Sequence, residues 1–453
     1  MKKMCMLGLL IVALAGTTMS QLVYEYDGPF PDTNFVMLGI NVVNGGIGVD
    51  PEGKVWIQPY TTSTKDSIQV NDTTWTRLRP IYCYLPDGKT PAPFSPIKVL
   101  TGPDETGTTK IDTMFGYLGY GGCINPSNGN FMAVWYGKIW EIDYKTGQGV
   151  RTRNGNITGL DLNSPASVAV NSLGEVYMTR VVGAAPGVIL NPDFSLGPQF
   201  SPSVGAIGRT ITVSLDGNDV WVPRFTAVPP TTFLYHSDAG TLGSYALTDS
   251  IVGPSVESIG IHPVTGHVWF SADYRSVAAT YPYTYTHSPN TYYAYNPVAK
   301  TIVDSFAVAH WPVSPATGAA LPRGIAFSPT GDTVYVGKFD GANLPFAVSR
   351  FVRRLASVEP IDGNVPSGYA LAQNFPNPFN PTTEISFQIA KQGFVTLRVY
   401  DVLGREVASL VNQELVAGSY RIPFNASNLT TGTYLYELRA GDVRLVKKMA
   451  LVK

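Results

Sequence analysis

The chain is predicted to be all-β, a ring of repeated hairpins followed by a small sandwich, and three observations carry that expectation. Gly 45, Pro 35 and Tyr 25, with only 14% charged residues in 453, suit tight turns and pleated surfaces better than helices. One hairpin template recurs between residues 45 and 336, and runs of alternating apolar residues fill the C-terminal end.

The first residues read as an export signal. Lys2 and Lys3 precede an apolar stretch from Met6 to Ala15, too short to span a bilayer, and small or polar residues follow up to a cut between Ser20 and Gln21. No later stretch approaches the ~20 apolar residues that a membrane helix needs, so the mature chain is expected to lack a transmembrane segment. A net charge of −1 gives no footprint for nucleic acid. Cys83 and Cys123 alone remain after processing, too few for a disulfide framework, and both a single bridge and two buried thiols stay open.

Each repeat is an apolar strand, a polar turn and a second strand centred on an apolar or aromatic pair. The six copies are Gly45 to Ile57, Gly122 to Ala133, Ser167 to Met178, Thr210 to Val222, Ser258 to Phe270 and Gly324 to Val336. Alternation sends one face of each first strand into a core, and Asp, Asn, Ser or Pro with Gly supplies the turn. Third strands are expected in Ile81 to Gly88, Lys138 to Gly147 and Tyr292 to Lys300. Four strands per repeat at this spacing predict a six-bladed β-propeller over residues 21–356. The long gap between the first two hairpins leaves a seven-bladed alternative open. Leu22 to Tyr26 is expected to close the ring against the last blade, which would cover an exposed strand edge.

These repeats resemble the propeller superfamily of NHL repeats and of YncE-like, virginiamycin-lyase-like and gluconolactonase-like proteins. The carriers are the strands around Trp56, Trp221 and Trp269 and the turn ending at Gly147. The resemblance implies architecture and carries over no catalytic residue. The tryptophans are expected to pack between blades.

Function is expected on the loops. Turns between first and second strands are uniformly tight, whereas the second-to-third connections are long at Gln58 to Arg79, Arg224 to Thr232, Ala272 to Thr291 and Lys338 to Ala347. Insertions gathered on one face of a rigid scaffold are where binding surfaces form. Trp75, Arg224, Tyr274, Tyr281, Tyr283, Tyr293, Lys338 and Asp340 are therefore the candidate ligand-binding residues. Aromatic side chains with a polar tip suit sugar rings or protein surfaces, although the tyrosines serve equally well to pack the loop onto its own blade.

No zinc, nucleophile-elbow, phosphate-loop or calcium-loop motif is present. His262 and His267 face each other across one turn without an evident third metal ligand, and Asp50, Asn125 and Asn171 stand where turn formers belong. Binding is expected over catalysis. The alternative is an extracellular, lactonase-like hydrolase or lyase, for which Arg224, Asp273, Arg275, Lys338 and Asp340 would be the charged candidates. The cofactor is unknown, and a divalent cation is the one left open.

A linker over residues 357–367 leads to residues 368–453, expected to be an Ig-like β-sandwich of about seven short strands. Alternation runs through Ile385, Phe387 and Ile389, through Val395, Leu397 and Val399, through Tyr420, Ile422 and Phe424, and through Tyr434, Tyr436 and Leu438. This region closely resembles the type A C-terminal sorting domain of the type IX secretion system. The residues that carry the likeness are Asn374, Pro376, Asn377, Pro378, Asn380 and Pro381, then Gly404, Arg405, Gly432, Lys447 and Lys448. The resemblance implies recognition by the type IX translocon, and a secreted or cell-surface location reached through the periplasm and outer membrane.

Overall fold

The computed structural model describes the chain apart from residues 1–21, 32–42, 61–62, 64–65, 115–118, 136–137, 155–164, 181–186, 202–208, 225–228, 273–286, 312–320, 340–347, 356–365, 381, 427–428 and 453. The expected signal segment, most of the linker and Pro381 lie outside the described residues. Strands dominate, and among the described residues one 3-10 turn stands at Gly240–Leu242. No helix of the described residues is long and apolar enough to cross a membrane. The chain divides into two compact units, the larger Tyr24–Arg353 and the smaller Arg354–Lys453 together with Met1–Val23.

In the larger unit all six predicted hairpins form antiparallel pairs. Four of them begin four-stranded sheets. These start at Pro165–Val170, at Thr212–Val213, at Ile259–Ile261 and at Leu321–Phe327. The other two share a seven-stranded sheet, in which Val43–Val49 and Gly119–Ile124 meet in a parallel bridge at Gly46 and Gly122. The strand Gly119–Ile124 also needs glycine against its other neighbours. A Cβ on Gly121 would lie 2.7 Å from the Ser167 hydroxyl, and one on Gly122 would lie 2.7 Å from the Met132 carbonyl.

The N-terminal strand Leu22–Phe30 joins the outer edge of the last sheet, beside Val348–Leu355. Its Tyr24 hydroxyl donates to the Gly331 carbonyl at 2.5 Å, and Phe30 packs edge-on against Tyr335 with centroids 4.8 Å apart. Between the first two hairpins lie two separate two-stranded ribbons, Ser67–Asn71 with Thr74–Arg77 and Val99–Pro103 with Thr109–Thr113. No further four-stranded sheet stands in that gap among the described residues.

First strands contact one another in succession. Val43–Val49 touches Gly119–Ile124, which touches Pro165–Val170, then Thr212–Val213, Ile259–Ile261 and Leu321–Phe327, and the last of these touches Val43–Val49. Six apolar clusters lie between neighbouring sheets in the same order. Trp56, Trp221 and Trp269 are buried in three of them, and Trp56 stacks on Phe131 of the adjoining hairpin, with centroids 5.2 Å apart. The aromatic second-strand positions thus supply inter-sheet packing. Cys83 and Cys123 fall in two different clusters and are both free.

The smaller unit has two sheets, Ala370–Leu371, Thr382–Ile389 and Gly418–Asn425 in one, and Glu406–Leu415, Gly393–Asp401, Gly432–Ala440 and Val443–Leu451 in the other. All twelve alternating residues named above are buried in one shared core. Period-two alternation is what two facing sheets require.

Candidate functional site

At the turn end of the first strands, short polar side chains are consumed by local structure. Asp50 accepts from the amides of Glu52 and Lys54 and from the Trp56 indole, each at 3.0 Å. Asn125 accepts from the amide of Ser127, and Asn171 from those of Leu173 and Glu175. His262 uses both ring nitrogens, with Nε2 donating to the Gly331 carbonyl at 3.0 Å and Nδ1 accepting from the amides of Val264 and Thr265 at 3.2 Å. With its nitrogens engaged in this way, it presents no free lone pair for a metal beside His267. Among the described residues no three His, Cys, Asp or Glu side chains converge to hold an ion.

The opposite end of the same strands carries a charge cluster. Counting back the same number of residues from the turn-opening residues Ser214, His262 and Ser328 lands on Arg209, Glu257 and Arg323. Arg209 Nη1 lies 3.4 Å from Glu257 Oε1, and Arg323 Nε pairs with Glu257 Oε2. Glu257 and Arg323 are buried, and the Arg323 guanidinium stacks 4.3 Å from the centroid of Phe339. Ser271 accepts from the Ser258 amide at 3.1 Å, beside the fully buried Tyr292, whose hydroxyl reaches Ser258 and the Gly324 carbonyl at 3.3 Å. Lys338 is fully buried one strand away, opposite Pro322.

Both oxygens of Glu257 carry a guanidinium, so the carboxylate is fixed between two cations rather than presented as a proton acceptor to a substrate. The triad sums to one positive charge at the end from which the long connections leave. Sequence reading missed it because the three residues are far apart in the chain. Aligning the hairpins on their turn-opening residues would have exposed the shared position.

The structure does not gather the candidate ligand-binding residues into one described site. Trp75 is 65% exposed on the ribbon Thr74–Arg77. Arg224 is half-buried, with its guanidinium 5.1 Å from the centroid of Phe233. Tyr293 stacks on Phe270 and accepts from the Ser288 amide at 2.8 Å, which ties it to its own sheet. Lys338 is interior rather than on a loop surface. Tyr274, Tyr281, Tyr283 and Asp340, and likewise Asp273 and Arg275, lie outside the described residues.

In the smaller unit the Asn/Pro segment covers the edge strand Val443–Leu451. The Phe379 amide donates to the Ala450 carbonyl and the Val452 amide to the Phe379 carbonyl, both at 3.0 Å. Asn377 Oδ1 accepts from the Ala450 amide at 2.9 Å, and Gln373 Nε2 donates to the Lys448 carbonyl at 2.7 Å. Prolines cannot donate to a ladder, so side-chain amides supply part of the pairing. Asn374 Nδ2 bridges the Pro376 carbonyl and Thr383 Oγ1, each at 3.0 Å. Lys447 and Lys448 are exposed on the covered strand. Arg405 pairs with Asp401 at 2.7 Å across the turn that contains Gly404.

Residues 373–452 match the profile of the secretion system C-terminal sorting domain. That domain directs the chain out by type IX secretion, to the cell surface or the medium. No curated protein matches the chain. Among solved structures, PorZ, described as a surface component of the type IX secretion system of Porphyromonas gingivalis, aligns at 13% identity over 90% of this chain and 60% of its own, with a TM-score of 0.38. The extracellular domain of the putative hybrid two-component system BT3049 from B. thetaiotaomicron aligns at 12% identity over 91% of this chain and 55% of its own, TM-score 0.39. A chain of the mitotic checkpoint complex aligns at 9% identity, 78% and 97% coverage, TM-score 0.41. The chain spans about three fifths of the length of PorZ.

Proposed function

We propose that residues 21–356 form a six-bladed β-propeller, released from a signal peptide over residues 1–20 and joined through a linker over 357–367 to the sorting domain. It binds a glycan or protein ligand through the face of the long connections. The observation that carries the ring is the succession of first-strand contacts that returns from Leu321–Phe327 to Val43–Val49. A Leu22–Phe30 strand on the last sheet supports the same reading, since it joins the start of the repeat region to its end.

The choice of face rests on unequal connections. Turns from first to second strand are tight at every hairpin, closed by bonds such as Asp50 to Lys54 and Ser328 to Thr333. From second to third strand the chain runs from Pro59 to Tyr82 and from Ala272 to Thr291. Trp75 stands exposed on the first of these long connections, and an exposed indole is a stacking surface for a sugar or a peptide.

The test is binding of the purified mature chain to a glycan array and to an outer-surface protein extract, repeated with Trp75→Ala. Loss of at least tenfold in affinity for a ligand found in either screen supports the loop face. Unchanged affinity in that variant, with loss instead on altering the turn face, would remove it.

A further inference from the structure

A cavity, chemically unlike the charge cluster at the other end, opens at the turn end of the first strands. Its volume is about 370 Å³, and all six first strands contribute to its wall. Ile47, Val168, Ile211, Ile259, Ile261 and Ile325 supply apolar surface, and Ser167, Thr210 and Thr212 add hydroxyls. Among the described residues of the lining there is no Asp, Glu, Lys, Arg or His. Pro51, Pro126, Leu215, Pro263 and Pro329 stand at its turn end. On the turns themselves Leu173, Leu215 and Val264 are each more than half exposed, at 65%, 55% and 64%.

Prolines at the starts of these turns have a local reason, because their fixed φ suits a turn. Exposed leucines and a valine have none, since a turn in water favours polar residues there. An apolar approach to an apolar cavity suits a ligand of the same character. An ion entering would lose hydration with no counter-charge among the described residues of the wall. The first strands of four sheets lie at the end of their strand order, so backbone N–H and C=O groups are available to orient a hydroxyl or carbonyl. The volume lies near the lower bound of ordinary small-molecule sites, roughly 300 to 1,000 Å³.

We propose that this cavity binds a compact, uncharged, largely apolar small molecule carrying one or two hydrogen-bonding groups, entering from the turn face and independently of the ligand on the loop face.

The experiment is isothermal titration of the full mature chain with two probes of nearly the same shape, 2-naphthalenemethanol and 2-naphthoate, at neutral pH. The neutral probe should bind at least tenfold more tightly than the carboxylate. Ile261→Phe, which fills the wall, and Leu215→Trp, which narrows the mouth from an exposed position, should each weaken the neutral probe at least fivefold. Trp75→Ala should leave it unchanged. Absence of measurable heat at millimolar probe, equal affinity for the two probes, or undiminished binding in a folded Ile261→Phe or Leu215→Trp chain would overturn the proposal. The two-probe comparison on the unaltered chain stands even where a variant fails to fold. Because Trp75→Ala separates the two faces, failure here leaves the loop-face reading standing, and the reverse holds as well.

Discussion

His262 donates through Nε2 to the backbone carbonyl of Gly331, 3.0 Å away, and so ties the turn of one hairpin to the turn of the next. The same carbonyl takes the Tyr24 hydroxyl, so one backbone oxygen joins the last two hairpins to the N-terminal strand. Burial pushes the His262 pKa down to about 4, opposed by the bond to Gly331 and reinforced by Arg353. Burial also lowers His310 to about 4. An unfolded histidine protonates near 6.5, so between 6.5 and 4 the unfolded chain binds more protons than the folded one, and stability falls as the pH drops through that window. Above 6.5 both states are neutral and these groups contribute no slope. Melting temperatures measured from pH 8 to 4 should therefore turn down below 6.5. His262→Gln should flatten the fall, and an unchanged slope in that variant would remove His262 as its cause.

Gly331 itself has a φ of +72°, and a Cβ there would sit 2.2 Å from His262 Cε1. Gly331→Ala combines left-handed backbone strain with a clash against a buried ring, and should cost about 3 kcal/mol. Gly107, also at positive φ but with nothing within 4 Å of its would-be Cβ, isolates the backbone part. Gly107→Ala should cost only about 1 kcal/mol, measured by chemical denaturation alongside it.

How far the sequence could be read follows the reach of each signal. Alternation and turn chemistry act over a few residues, so the six hairpins, the third strands after Ile81, Lys138 and Tyr292, and the twelve core residues of the sorting domain were all legible. The strand formed by Leu22 to Tyr26 was legible too, from what its absence would leave exposed. Lys338 was grouped with the long connection that it opens, yet it is buried within the strand Thr333–Phe339. The Glu257 cluster depends on which repeats become neighbours in space, and no local pattern encodes that. Trp75 was singled out from its loop alone, and the two ribbons beside it were not foreseen as separate pieces.

The Arg209, Glu257 and Arg323 triad should behave as a unit. Removing Glu257 takes away the carboxylate that lies between the two arginines, one of them buried, and Glu257→Ala should destabilise the chain by about 3 to 5 kcal/mol. Replacing all three together by Met, Leu and Met should cost far less, within about 1 kcal/mol of the unaltered chain, because the desolvation of the charges is removed along with their attraction. Urea denaturation of the single and triple variants decides this. A triple variant as unstable as the single one would mean that the charges hold something beyond each other.

The sorting domain offers a test of how its Asn/Pro segment is anchored. The Tyr436 hydroxyl donates to the Ala372 carbonyl and accepts from the Asn374 amide, each at 2.8 Å. Tyr436→Phe removes both bonds and leaves a buried amide unsatisfied, costing about 2 kcal/mol while leaving the ring packed in the core. If the segment must stay docked on Val443–Leu451 for export, the variant should accumulate in the periplasm, as deletion of residues 369–453 should. Fractionation of cells carrying the two alleles separates the outcomes. A destabilised but normally exported Tyr436→Phe chain would show that the translocon reads the strand without its cover, whereas periplasmic retention at unchanged stability would make the docked segment itself the surface that is recognised.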